Sequence, residues 1–196
     1  MRHFDDLPFY TGGTKTYAGI GHRDLEGCIE PVSGLPVAGM MTWISSELEK
    51  LGYTLNSGGA KGADLAFETG VKDSKHKQVF LASCATDETR GIAKELHPAP
   101  SRLAGYALDL MARNTFQVFG QNLDTPVDFV LCFTKDGCES YRTRTRDSGG
   151  TGQAIEMASR KGIPVFNMKN PNWIERLSKY IGLNIVPPIF RRNMPW

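Results

Sequence analysis

The stretch Tyr53-Thr54-Leu55-Asn56-Ser57-Gly58-Gly59-Ala60-Lys61-Gly62-Ala63-Asp64, running on through Leu65 to Val71, decides the fold. Tyr53 to Asn56 reads as a short strand, Ser57-Gly58-Gly59 as a tight turn and Ala60 to Val71 as a helix. A strand that turns on glycine straight into a helix is half of a βαβ unit, and the same pattern recurs on both sides. Upstream, Thr16 to Ile20 is an apolar run closing on Gly21. Val37 to Leu51 then carries Met40, Met41, Ile44, Leu48 and Leu51 at helical spacing until Gly52 ends it. Downstream, Gln78 to Ala82 reads as a third strand. Asp87 to Leu96 and Ser101 to Val118 read as helices, parted by His97-Pro98-Ala99-Pro100. Val127 to Phe133 is almost continuously apolar, as a strand covered on both faces must be. Thr151 to Lys161, Pro164 to Asn167 and Pro171 to Ile181 complete the series as helix, strand and helix, with Gly182 as the stop.

This alternation predicts an α/β fold: a Rossmann-like, open, mostly parallel sheet flanked by helices. One domain is expected over 1–185, followed by an extended tail over 186–196 rich in Pro and Arg. Composition agrees, since 40% hydrophobic and 22% charged residues among 196 support one sizeable core and exclude disordered, collagen-like and coiled-coil chains. Lys and Arg total 23 against 21 Asp and Glu, a formal charge of +2, which excludes coating nucleic acid by bulk charge. Apolar runs fall far short of the ~20 residues of a membrane span. Asp5 and Asp6 stand where a signal peptide would be apolar, so a cytoplasmic protein is expected. Cys28, Cys84, Cys132 and Cys138 form no CxxC pair and have no His at zinc spacing. They read as reduced thiols, with no metal and no cofactor called for.

In an open α/β sheet, ligands bind beyond the carboxyl ends of the strands. Three glycine segments fall at such ends. Gly19-Ile20-Gly21-His22-Arg23 follows the first strand, with glycines for close backbone approach and two polar side chains. Ser57-Gly58-Gly59-Ala60 leads into a helix whose first turn holds Asp64, suited to capping or to a ribose hydroxyl. Ser148-Gly149-Gly150-Thr151-Gly152 opens another helix, with Glu156 one turn in. Gly59 and Gly150 are expected where backbone N–H groups face a ligand and a Cβ would intrude. The Ser57 to Asp64 segment has neither the ending of a P-loop nor the spacing of a GxGxxG fingerprint. His97 reads as structural, and Trp43 and Trp173 as core. Trp196 is expected to dock on a surface, while Arg142, Arg144 and Arg146 stand ready to grip phosphate from a loop.

Ser57 to Asp64 resembles the SGGAxGxD segment of the DprA family of DNA-processing proteins. Gly149-Gly150-Thr151-Gly152 with Glu156 resembles the PGGxGTxxE motif of the LOG family; both belong to the SLOG superfamily of nucleotide-binding proteins. The likeness spans Tyr17 to Asn167, in the manner of small stand-alone DprA-like chains of phage and prophage type. It implies that the glycine motif holds a nucleotide phosphate, while Glu156 and an upstream Arg, matched by Arg113, attend an N-glycosidic bond. Arg113-Asn114 also matches the Arg-Asn pair of DprA-like chains. Ser148 stands where the LOG motif has Pro, and Gln153 where it has Thr. The expected function is binding of a nucleotide or nucleotide-derived small molecule, with N-glycosidic hydrolysis if the protein is an enzyme. The alternatives are a DprA-like mediator of recombination on single-stranded DNA and a non-catalytic nucleotide sensor or sponge. The resemblance also implies a homo-oligomer.

Overall fold

The computed structural model describes residues 1–187; the Pro188, Arg191, Arg192 and Trp196 part of the expected tail lies outside the described residues. Five strands, β1 (Thr16–Gly21), β2 (Thr54–Ser57), β3 (Lys77–Val79), β4 (Phe129–Phe133) and β5 (Val165–Asn167), form one sheet in the order β3-β2-β1-β4-β5. Every pairing is parallel, with Tyr17 opposite both Leu55 and Phe129, and Leu131 opposite Phe166. The helices are α1 (Val37–Lys50), α2 (Ala63–Gly70), α3 (Asp87–Glu95), α4 (Gly105–Phe119), α5 (Thr151–Arg160) and α6 (Trp173–Ile181).

The period-two alternation of a strand explains the layering. Tyr17, Leu55, Phe129, Leu131 and Phe166 face a core built with α1, α2 and α6, centred on Met41, Ile44, Phe67 and Trp173. Ala18, Ile20, Val130, Cys132 and Val165 face the opposite core, closed by Ile92, Phe116, Phe119 and Ile155. With both faces covered, all five residues of β4 are buried, which is why its sequence is apolar without alternation. Tyr17 stacks on Phe129, and the Trp173 indole N–H donates to buried Glu30 at 3.0 Å, fixing α6. Trp43 is only partly buried against the same core.

Three of the boundary differences from expectation shape the site. Helix α2 begins at Ala63 rather than Ala60, because Gly62 at φ 81°, ψ −122° is incompatible with helix and Ala60-Lys61 form a loop before it. The third strand ends at Val79, although Phe80 still donates its N–H to Ser57. The helix expected from Ser101 splits into a single 3-10 turn at Pro100–Arg102 and α4 from Gly105.

Candidate functional site

Strand order reverses between β1 and β4, the neighbours at the centre of the sheet, and there a cleft of about 510 Å³ opens at the carboxyl edge. Its floor is the end of β1, with Gly21, His22 and Arg23; one side is Ala60 and Asp64, the other Gly149, Gly150 and Thr151. Helix α4 closes it with Leu110, Met111, Arg113, Asn114 and Gln117. Ten of the residues picked from sequence thus meet around one cavity. Gly58 and Gly59 line an adjoining cleft with Lys61, and Glu156 lines a third on the far side of Gly149-Gly150. Gly19, Ser57, Ser148 and Gly152 line none of them.

Gly19 serves packing instead, since an added Cβ would lie 2.7 Å from both Leu55 and Phe67. Gly21 does double duty, lining the cleft while sitting 2.7 Å, by the same construction, from the Ala63 Cβ of α2.

The first glycine turn is not the open anion cradle its sequence suggests. Part of its donor set is taken by the chain's own carboxylates: Glu68 accepts from Ser57 Oγ at 2.6 Å and from the Gly59 N–H at 3.1 Å. Asp64 Oδ2 accepts the Ala60 N–H at 3.2 Å and pairs with Arg113 Nη2 at 3.1 Å. Burial pushes the Asp64 carboxyl up from its ordinary value; the nearby Arg113 charge and the Ala60 N–H pull it only part of the way back. Arg113 Nη1 donates to Gln117 Oε1 at 2.8 Å. The guanidinium closes on Gly58, where a Cβ would fall 0.9 Å from Nη1. Arg113 is therefore a neutralised, buried member of the cleft wall rather than a free phosphate grip.

Three polar atoms at this cleft have no hydrogen-bond partner among the described residues: Arg113 Nε, Gln117 Nε2 and His22 Nε2. Arg113 is 6% exposed and Gln117 fully buried, so each orphan donor carries a desolvation cost of ~1–3 kcal/mol until something fills its place. His22 also sets its ring edge-on to Phe133, which fixes its aim.

The second glycine turn does present open donors. Gly149 and Gly152 are tied back to Arg146 and Gly149 carbonyls, but no acceptor in the described chain meets the N–H groups of Gly150 and Thr151 at the start of α5. Gly149 holds φ +57°, which turns the chain into the helix. The loop before it is pinned by Asp136, which accepts from Thr145 Oγ1 and Ser148 Oγ, each at 2.6 Å. Partial desolvation would raise this largely exposed carboxyl, but the hydrogen bonds from Ser148, Thr145, Thr134 and the Cys138 N–H outweigh it and hold it at about 2. From α4, Asn114 reaches the Gly150 carbonyl and Gln153 Oε1, both at 3.4 Å. Gln153 is buried, with Nε2 donating to the Ala93 carbonyl at 3.4 Å.

Glu156 is buried between two arginines, Arg144 Nη1 at 2.5 Å and Arg160 Nη2 at 2.7 Å. Gly152 makes this geometry accessible, because a Cβ there would lie 3.0 Å from Arg144 Nε. Of the arginine ladder, then, Arg144 serves Glu156, while Arg146 remains exposed without a carboxylate partner among the described residues. His97 lines the central and third clefts, and its Nδ1 accepts the Ala99 N–H.

Sequence reading missed Gln117, Glu68 and Asp136. The signal for Gln117 was a polar residue one turn after Arg113 on the same helix face. Glu68 and Asp136 had none, since their partners come from the turns they stabilise.

No family model matches the chain, and no curated protein does either. Among solved structures it is similar to DNA processing protein A from Helicobacter pylori, described for its single-stranded DNA binding mode. Identity is 16%, coverage 96% of this chain and 80% of that one, and the TM-score 0.47.

Proposed function

We propose that the central cleft binds a nucleotide or nucleotide-derived small molecule. The observation that carries this reading is the set of buried, unpartnered hydrogen-bonding groups, Gln117 Nε2 and Arg113 Nε above all, in a cleft of ligand size. Ile20, Leu103, Leu110 and Met111 offer apolar walls to a flat base, and the Gly150 and Thr151 N–H groups at the α5 start offer charge complementarity to a phosphate. Within this reading, binding without hydrolysis is favoured. Glu156, the residue matched to a catalytic carboxylate, is neutralised by Arg144 and Arg160 and lines a different cleft.

The test is to denature the purified protein and identify released nucleotides by mass spectrometry, then titrate a nucleotide panel by calorimetry. An intact nucleotide and saturable binding are expected. Absence of both overturns the reading. Glu156→Gln should leave affinity within a few-fold of the parent; base release that falls roughly a hundredfold in this variant would convert the binder into an N-glycosidase.

A second reading is supported by Arg23, Lys61 and Arg146, exposed around these clefts and free of carboxylate partners among the described residues. They suit a single strand of DNA. A steep fall of affinity for an oligonucleotide with salt would be its signature.

A further inference from the structure

We infer that the ligand is a free dinucleotide bridged by pyrophosphate, lying astride the Gly149-Gly150 turn with one half in the central cleft and the other in the third. The inference rests on the nucleotide reading above and specifies its substrate class. Gly149 and Gly150 are a shared wall: they line both the central cleft and its neighbour of about 840 Å³, and His97 and Met111 also belong to both. The open N–H groups of Gly150 and Thr151 lie on that wall, at a helix N-terminus where strand order reverses. A phosphate bridge held there has space for a nucleoside on either side, and a mononucleotide would leave the larger cleft empty.

The two sides are furnished differently. The central cleft offers apolar walls with the buried orphan donors Gln117 Nε2 and Arg113 Nε, a second sign of a ligand that does not depend on the helix end. The third offers Arg146, exposed and without a carboxylate partner among the described residues, for the bridge, and the Tyr141 ring, 38% exposed, for a second base. Arg160 and Arg142 sit 4.8 and 5.4 Å from the Tyr141 ring centroid, and Arg142 Nε donates to its hydroxyl at 3.0 Å, so ring and guanidiniums form one polarised wall. Glu156 lines the same cleft, held in place by Arg144 and Arg160, where a carboxylate meets ribose hydroxyls.

Calorimetric titration with diadenosine and diguanosine pyrophosphate, against AMP, GMP and a 20-nucleotide single strand, tests this. At least one dinucleotide should bind roughly tenfold or more tighter than its own monophosphate, the scale of one stacked base. Tyr141→Ala should erase that advantage while changing monophosphate affinity less than about twofold; Tyr141→Phe should keep it. Tyr141 packs at the surface, so these variants are expected to fold, and far-UV circular dichroism checks that they do. Equal affinity for dinucleotide and monophosphate, or a Tyr141→Ala variant that retains the advantage, overturns the inference and leaves the mononucleotide reading standing. Binding of the strand that outcompetes both dinucleotides overturns it in favour of nucleic acid. Binding of no nucleotide at all removes both the inference and the reading beneath it.

Discussion

Gly58 has no side chain because Arg113 occupies the space one would take. The Arg113 guanidinium reaches from α4 across the end of the sheet, rests on the Gly58 backbone and closes on Asp64 and Gln117. A glycine in a strand-to-helix turn invites a ligand interpretation, yet here the close approach is made by the protein's own arginine. Gly58→Ala should therefore act through Arg113: the methyl forces the guanidinium away from Asp64 and strands two buried charges. The expected loss is about 3 kcal/mol in chemical denaturation, the scale of breaking a buried pair. Gly150→Ala is the contrasting case. At φ −63° its Cβ would meet nothing nearer than the Met111 sulfur at 3.7 Å, so stability should change by less than ~1 kcal/mol while ligand affinity reports whether the turn faces a bound group. Equal destabilisation by both substitutions would show that Arg113 is not what makes Gly58 necessary.

At the scale of elements, the start of α5 is held from two directions. Asn114 anchors it to α4, and Asp136 gathers Thr145, Ser148 and the Cys138 N–H to fix the loop that delivers Gly149. The Asp136 carboxyl has an ordinary value of 3.8 and is held at about 2 in the fold. Because the folded value is the lower one, its stabilisation is complete above the ordinary value, where the unfolded carboxyl is also ionised. It is lost as pH falls through the folded value. Asp136 is solvent-exposed, so Asp136→Asn should cost no more than about 1 kcal/mol at pH 7. That difference should shrink toward zero as the pH is lowered to about 2. Denaturation curves of the two proteins across that range provide the measurement; a difference independent of pH would assign the anchoring to shape rather than charge.

At the scale of the molecule, the sheet carries a separate apolar core on each face, and the clefts open along its carboxyl edge. The orphan donors of the central cleft are a cost borne by the whole folded state, which a fitting ligand removes. Ligand at a hundred times its Kd stabilises a fold by about 2.7 kcal/mol. For a chain of this size that is a rise in Tm of roughly 5–10 °C. A thermal scan with the nucleotide recovered from the protein checks this. An unchanged Tm at saturating ligand would mean that the ligand binds folded and unfolded chains alike, which a built site does not allow.

The sequence by itself determined the α/β alternation and the parallel sheet, because helix and strand periodicities, glycine stops and the two-sided apolar run at β4 are local signals. It also brought most of the cleft residues into view, since loops at strand ends converge on one edge in any such sheet. What those residues do was decided only by tertiary structure. Whether a turn's N–H groups are open depends on which carboxylates reach them: Glu68 and Asp64 take the Gly59 and Ala60 N–H groups of the first turn, while no carboxylate among the described residues reaches those of Gly150 and Thr151 in the second. Whether an arginine grips a ligand or a neighbour depends on its counter-charge, and Arg113 and Arg144 found theirs in Asp64 and Glu156. Two segments of identical glycine chemistry thus diverge, because hydrogen-bond satisfaction and charge pairing are properties of three-dimensional neighbours rather than of spacing along the chain.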